Sequence, residues 1–475
     1  MVPADPDGGG LMRTDLLTEP VSGLAEVLTA VDTFDRTLVG GLVRPQPAQA
    51  AALAEFADAL TGSPLAGAVA EAAEKAAAGG AGEEHLVLLA AARTALLGAA
   101  HDALAAVVAQ ATGRPDAAEP YPAPEPAAAV NVLAAARSWL CDLARAGWQG
   151  IHHELVADAA PVVSAMLPDP ALRRLAVLLD GFAAELAASC PGATLERIPV
   201  RRWADLWARG LLLAQPGALA APPAGPVSGR LLPLGVDLHE HATAAQAQVH
   251  GVFEPADGGP ARLVRASVAV PKPDTVVGAG VWQLLRPRLS LLAAAGEGRA
   301  MELTGMTLTA AGDLHWQDEL AKAGEPADPF VTARVALATA QAAGTPPLER
   351  HPARLAEPVF LEGYAVHQDG DEDGLRFELA GHRLLVDTDR IPVAGPLTPE
   401  VVAASTSCIG LLRWDAGRFV LQPLAVETVV RKKTVAVHGG AWAGGTTDKV
   451  GVKAEKTATD AVAVLRERAG RLLRK

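Results

Sequence analysis

The spacing of apolar residues changes from helical to strand-like across a Pro-rich segment near the middle of this 475-residue chain. Before the segment, apolar residues recur at steps of three and four, which is typical of amphipathic helices. After it, short β-branched and apolar runs are separated by turn residues, which is typical of hairpins. The segment, residues 215–229, contains four prolines. We therefore predict an α+β chain and treat residues 215–229 as a Pro-rich linker at its main domain boundary.

Residues 14–214 are expected to form an α-helical domain. Alanine, the best helix former, fills much of this half between the periodic apolar residues. Trp203 and Trp207 lie four residues apart, a spacing that predicts two buried anchors on one helix face, with the neighbouring arginines at the surface. A second Pro-rich stretch, 112–126, is acidic and predicts an extended linker or a long loop inside this domain.

Residues 230–445 are expected to form an antiparallel β-rich domain, either a barrel or a sandwich. Three pairs of apolar runs separated by turn residues predict hairpins, and consecutive hairpins favour antiparallel pairing over a doubly wound α/β fold. The predicted pairs are 303–309 with 314–316, 360–367 with 375–379, and 409–414 with 418–424.

The last stretch, 454–475, predicts a basic amphipathic tail helix with an apolar stripe. Between residues 426 and 475, eleven Lys and Arg stand against five Asp and Glu, a net charge of +6. The whole chain carries −13, so the remaining 425 residues carry −19. This asymmetry predicts a docking role for the tail cations, which are Arg466, Arg468, Arg471, Arg474 and Lys475.

Three partners fit a basic tail. An acidic partner protein, or the acidic body of the chain itself, is favoured, because an acidic body weakens the attraction of the whole chain to phosphates. Nucleic acid is the alternative. A membrane surface is not expected, because the tail lacks the bulky aromatic residues that anchor interfacial helices.

A histidine-rich stretch is the candidate metal site. Alternation along a strand would place His239 and His241 on one face, with His250 nearby if the chain folds back. Such imidazoles can ligate Zn²⁺, but a zinc site needs three or four ligands. Hydrogen-bonded structural histidines are the other interpretation, and no cofactor is expected.

Two further motifs lack their required partners. The segment His438-Gly439-Gly440 resembles an oxyanion segment of esterases, but no Gly-x-Ser-x-Gly nucleophile motif occurs in the chain. The acidic stretch from Asp369 to Gly374 opens like a calcium loop but has Ala380 where a bidentate Glu is required. A Gly-rich connection and an acidic turn are the simpler interpretations.

The composition also indicates the compartment. The N-terminus lacks the basic and apolar regions of a secretory signal, and Met12 is an alternative start. Three cysteines without metal spacing predict reduced thiols in a cytoplasmic protein.

The segments beginning at Trp148 (Trp-Gln-Gly-Ile-His-His) and at Arg202 (Arg-Trp-Ala-Asp-Leu-Trp), followed by the β-rich half, resemble actinobacterial proteins encoded beside MoxR-type AAA ATPases. The resemblance covers about a third of the chain and implies an accessory or client role in an ATPase-linked system. It implies no site residues.

Taken together, the sequence favours a non-enzymatic interaction or accessory protein. The alternative is a hydrolase-like or metal-dependent enzyme with a site between the two halves. A nucleic-acid-associated factor using the basic tail is the third hypothesis.

Overall fold

The computed structural model describes residues 12–114, 131–220, 223–285, 290–368, 374–393 and 395–472. Most of the Pro-rich stretch 112–126, most of the acidic turn that begins at Asp369, and the tail residues Arg474 and Lys475 lie outside the described residues.

The first half of the described chain is helical, which confirms the predicted class. Its helices are α1 (Thr14–Thr18), α2 (Leu24–Gly40), α3 (Pro47–Asp58), α4 (Ala66–Ala77), α5 (Glu83–Thr112), α6 (Asn131–Ala146), α7 (His153–Ala157), α8 (Ala159–Met166), α9 (Arg173–Ala188) and α10 (Val200–Leu213). Aromatic side chains form the centre of their common core. The rings of Phe34 and Phe56 stack with centroids 4.4 Å apart, and Trp148 meets Trp203 edge to face at 5.8 Å. Trp203 and Trp207 are buried, as their spacing predicted.

Helix α5 belongs to two cores. Leu86, Leu89 and Leu97, in its first part, pack within the helical bundle. Leu104 and Val108, in its last part, pack instead with α1 and a sheet of the second half. This helix is the one in the described chain that is long and apolar enough to cross a membrane, but more than half of its most apolar window is buried in the protein. Its burial is that of a core helix.

The first sheet closes on itself. Its strands are β1 (Ala224–Glu240), β2 (Ala244–Pro255), β3 (Arg262–Pro271), β4 (Arg299–Thr309), β5 (Asp313–His315) and β6 (Ala321–Pro326). Strand β1 pairs with both β2 and β4, and β5 joins β3 to β4, so these five strands form a ring with β6 beside β4. Helices α11 (Ala279–Leu285) and α12 (Ser290–Glu297) share the apolar core of this barrel.

The strands of the second sheet are β7 (Glu357–Glu362), β8 (Ala365–Gln368), β9 (Leu375–Leu379), β10 (His382–Val386), β11 (Ser405–Asp415), β12 (Arg418–Val430) and β13 (Lys433–His438). Their order is β7-β11-β12-β10-β9-β8, with β13 paired to β12. The remaining helices are α13 (Pro329–Thr332), which continues into a π-helical turn at Ala333–Leu337, α14 (Pro399–Ala403) and the tail helix α15 (Lys449–Leu472).

An apolar cluster joins the two sheets. Val252 of β2 and Leu263 of β3 share one buried cluster with Ile409 of β11 and Ala425 of β12. Phe330, at the start of α13, belongs to the same cluster. The second half is therefore two sheets held together by a shared core, with a barrel on one side.

Several predicted elements differ from the structure. The pairs β3–β5 and β10–β12 are parallel, so the sheets are mixed rather than purely antiparallel. Each of these parallel pairings involves only two residues of each strand. The predicted strand 360–367 is broken, because β7 pairs with β11 whereas β8 pairs with β9.

The predicted linker 215–229 is also shorter than expected. Its last six residues belong to β1, in which Gly225 and Pro226 pair with β4. Pro226 is tolerated because β1 has no second neighbour at this end, and a proline needs no donor there. The tail helix begins at Lys449 rather than at residue 454.

Shortening a buried side chain in the part of α5 that packs on the second sheet should destabilise the protein. Leu104 is fully buried, so Leu104→Ala should cost about 2–5 kcal/mol of unfolding free energy. The control is Val177→Ala on α9, where the side chain is 67% exposed and the cost should stay within about 0.5 kcal/mol. Urea unfolding followed by circular dichroism measures both, and equal costs would contradict the packing of α5 against the sheet.

Candidate functional site

The three predicted metal ligands lie at different positions along one hairpin. His239 is in β1 and faces Gln246 of β2, whereas His250 faces Gly235, about 13 Å further along the strand. Strand β1 ends at Glu240, so His241 lies outside the strand on which the alternation argument rested. Within the described ranges, no group of three His, Cys, Asp or Glu side chains is arranged to hold a metal ion.

His239 instead contributes to a buried polar network between the two sheets. Its Nε2 lies 2.9 Å from Oδ2 of Asp237, two residues earlier on the same face of β1. The Nη2 of Arg413 on β11 donates to the same carboxylate oxygen at 2.8 Å, and Nε2 of Gln422 on β12 donates to Oδ1 at 2.8 Å. Arg413 and Gln422 also bond to each other. The network therefore links the barrel to the second sheet.

The electrostatics of Asp237 follow from this arrangement. Burial opposes its ionisation, but the bonds from His239, Arg413 and Gln422 outweigh that cost, so the pKa of Asp237 lies well below its usual range. Burial lowers the pKa of Arg413, which Asp237 partly opposes. A buried carboxylate whose donors are all committed within the protein is typical of a structural pair rather than of a general base.

His250 is a buried histidine with an unused ring nitrogen. Only 4% of it is exposed, and its Nε2 has no hydrogen-bond partner in the described part of the chain. Burial lowers its pKa to about 4, so the ring is neutral at pH 7. It lines a cavity of about 60 Å³ together with Arg265 of β3 and Glu357 of β7. This volume suits a few water molecules rather than an organic substrate.

The His438-Gly439-Gly440 segment connects β13 to the barrel core. The Gly439 amide donates to the carbonyl of Leu424 at 2.9 Å, so it is already committed. A Cβ at Gly440 would lie 2.6 Å from Cγ2 of Val236. Glycine is thus required at this point by the close approach of β1, and the following Trp442 is buried in the barrel core. These contacts agree with a packed connection.

The tail helix α15 is attached to the body through its first half. The side chain of Gln283 on α11 donates from Nε2 to the carbonyl of Glu455 at 2.9 Å and to Oγ1 of Thr459 at 3.0 Å. A Cβ at Gly280 would lie 2.9 Å from Cβ of Ala458, which shows how closely the two helices approach. Arg466, Arg468 and Arg471 lie in the second half, where they are exposed.

The structure adds an arginine-lined cleft that we did not predict. It lies between α5, α10 and the segment 345–355, and it has a volume of about 220 Å³. We call it the arginine cleft, and its titratable lining consists of Arg93, Asp205, Arg209, Arg350, His351 and Arg354. Glu349, in the same segment, forms ion pairs with Arg174 of α9, with Arg209 and with Arg354.

The arginines of the cleft lower one another's affinity for protons. Burial and the neighbouring Arg174 lower the pKa of Arg209 to about 10. Burial, Arg209 and Arg174 lower the pKa of Arg354 to about 10. With pKa values of about 10, Arg209 and Arg354 remain charged at pH 7. Both pair with the single carboxylate of Glu349.

Sequence reasoning missed the arginine cleft because its members are far apart along the chain. Arg174, Arg209 and Arg354 belong to different elements, and no spacing rule connects them. Arg209 was interpreted as a surface residue at the edge of the helix that carries Trp207. The local signal in the sequence was the density of charge between Glu349 and Arg354.

No known protein-family model, curated protein sequence or solved structure is significantly similar to this chain.

The unfolding free energy should fall as the pH is lowered from about 7 to about 4. The unfolded chain protonates His250 near its ordinary pKa of 6.5, whereas the folded protein does so only near 4. In this window the unfolded state binds more protons, so a lower pH favours unfolding, by up to about 3 kcal/mol at pH 4. Urea midpoints measured across this range test the expectation.

Two variants identify the titrating group. His250→Leu should flatten the pH dependence, because the variant has no group that protonates at that position. His315→Leu, at an exposed histidine of β5, should keep the wild-type slope. His438, whose pKa burial also lowers, leaves a residual slope in both variants. Identical slopes in the wild type and His250→Leu would show that His250 is not responsible.

Proposed function

We propose that this chain is a non-enzymatic, cytoplasmic interaction protein, and that the second half of α15 docks on an acidic surface of another protein. We call this part, residues 460–472, the distal tail. The observation that carries the proposal is the exposure of the distal tail on a helix whose other half is anchored to the body. The exposed cations are Arg466, Arg468 and Arg471.

The anchoring of α15 supports a docking role. Its contacts with α11 hold the first half in place, so the distal tail extends from a fixed base rather than from a free linker. Such pre-organisation lowers the entropy that a partner must remove on binding. Along the distal tail, Val464 is 45% exposed, so a partner would gain apolar as well as charged contacts.

The charge of the distal tail indicates an acidic partner. Among the described residues, Arg471 is the distal-tail arginine that forms an ion pair. Its partner, Glu467, lies one helical turn away on α15 itself. Since an exposed pair of this kind contributes little, these guanidiniums remain free to bind carboxylates. No ion pair between the distal tail and the acidic body occurs among the described residues, which favours an intermolecular role.

A protein partner fits better than a nucleic acid. The chain carries −13 overall, so the field of the body opposes the approach of a polyanion to the tail. A protein surface with a local acidic patch avoids this repulsion. The resemblance to proteins encoded beside MoxR-type AAA ATPases adds a specific partner class to the proposal, namely a component of an ATPase-linked system.

Charge reversal within one helix tests the proposal. The triple variant Arg466→Glu, Arg468→Glu, Arg471→Glu reverses the distal tail. The matched control Lys449→Glu, Lys453→Glu, Lys456→Glu makes the same charge change at three exposed lysines in the first half of α15. Partners are captured from the native host with the full chain, purified, and titrated with all three proteins at 150 mM salt.

We expect the distal variant to lose at least tenfold in affinity for the captured partner and the control to lose at most threefold. Equal losses would mean that charge acts at long range without a docking surface, and unchanged affinity in the distal variant would overturn the proposal. A parallel titration with duplex DNA separates the alternative. Tail-dependent DNA binding at this salt concentration would favour the nucleic-acid function instead.

A further inference from the structure

We propose that the arginine cleft binds a small organic phosphate, with the phosphate held by Arg209 and Arg354. The cleft is built from α5, α10 and the segment 345–355, none of which belongs to the distal tail. The inference is therefore independent of the docking function proposed above.

The first support is an excess of positive charge. The carboxylate of Glu349 accepts bonds from Arg174, Arg209 and Arg354. Three guanidiniums around one carboxylate leave two positive charges without a counterion in that cluster. Guanidinium forks match the oxygens of a phosphate geometrically, so a bound phosphate would supply negative charge to this cluster.

The second support is the supply of unused donors. Arg354 reaches Glu349 through Nη1, so its Nε and Nη2 have no hydrogen-bond partner in the described part of the chain. Arg209 is more constrained, because Nη1 bonds to the carbonyl of Leu348 and Nη2 to Glu349. Side-chain exposure is 19% for Arg209 and 50% for Arg354. The guanidinium of Arg209 is thus held in place, while that of Arg354 has donors open to a ligand.

The other charged groups of the cleft form ion pairs within the protein. Arg93 donates from Nε and Nη2 to Asp35 and pairs through Nη1 with Asp205. Nη1 of Arg350 lies 3.1 Å from Asp102, and its Nε bonds to the carbonyl of Thr345. These pairs fix the walls of the cleft. Because Arg93 pairs with two carboxylates, its group carries one excess negative charge, so the excess of positive charge lies in the Glu349 cluster.

The shape and the apolar lining indicate the rest of the ligand. Leu97, Leu206, Leu212 and Leu348 also line the cleft. Its volume of about 220 Å³ exceeds a cavity of about 150 Å³ that holds benzene. The cleft therefore has room for a ring-sized organic group next to the phosphate. Inorganic phosphate shares the recognition chemistry but would leave the apolar wall uncovered.

Calorimetric titrations with phenyl phosphate and inorganic phosphate, at one fixed ionic strength, test the proposal on the full chain. Phenyl phosphate should bind at least tenfold more tightly than inorganic phosphate, and phenol should not bind measurably. Arg354→Gln should weaken phenyl phosphate about tenfold, the loss expected for charge-assisted hydrogen bonds. The control Arg201→Gln removes an exposed arginine of the same helix as Arg209, one that pairs with Asp32 outside the cleft, and should bind like the wild type.

Glu349→Gln separates a binding site from a purely structural clamp. The substitution removes the Glu349 carboxylate, which competes with the ligand for the arginines. The affinity for phenyl phosphate should therefore rise severalfold, even if the variant is less stable. A structural clamp predicts lower stability without tighter binding. The proposal is overturned if the wild type does not bind phenyl phosphate at millimolar concentration, if Arg354→Gln binds as tightly as the wild type, or if Glu349→Gln binds no more tightly than the wild type. A preference for inorganic phosphate would overturn the organic part of the ligand.

Discussion

The fold depends on one helix whose two ends pack into different cores. The first part of α5 fills the helical bundle, whereas Leu104 and Val108 complete the core under the second sheet. A helix of 30 residues is about 45 Å long, which is enough to cross both bodies. Because most of its apolar residues are buried in one core or the other, its stability depends on packing against both bodies. Helix α5 therefore couples the stability of the two halves of the chain.

Charged groups supplement this apolar framework where elements from distant parts of the chain meet. Asp237, Arg413 and Gln422 join the barrel to the second sheet, and Glu349 joins the segment between the sheets to the helices. The two clusters differ in their electrostatics. In the first, the carboxylate is matched by its donors, whereas in the second the guanidiniums outnumber the carboxylate. Matched charge specifies a geometry, and unmatched charge attracts a ligand.

The sequence predicted the parts of the fold that depend on local patterns. Helical periodicity predicted the buried Trp203 and Trp207, and the turn between β11 and β12 was predicted from three residues at its centre. Features set by distant contacts were missed. The pairing of β1 with β4 closes the barrel, yet nothing in the Pro-rich composition of residues 215–229 indicates a strand. The arginine cleft was missed for the same reason, because its residues meet only after folding.

The sharing of α5 between two cores also sets an order of events during synthesis. Leu104 is made about 250 residues before Val359 and Phe377, which cover the same core. At roughly 5–20 residues per second, the ribosome needs about 10–50 s to add this length of chain. During that time, the apolar C-terminal part of α5 has been synthesised, but the sheet that covers it has not. The newly made helical half is then the species most exposed to aggregation or to capture by a chaperone.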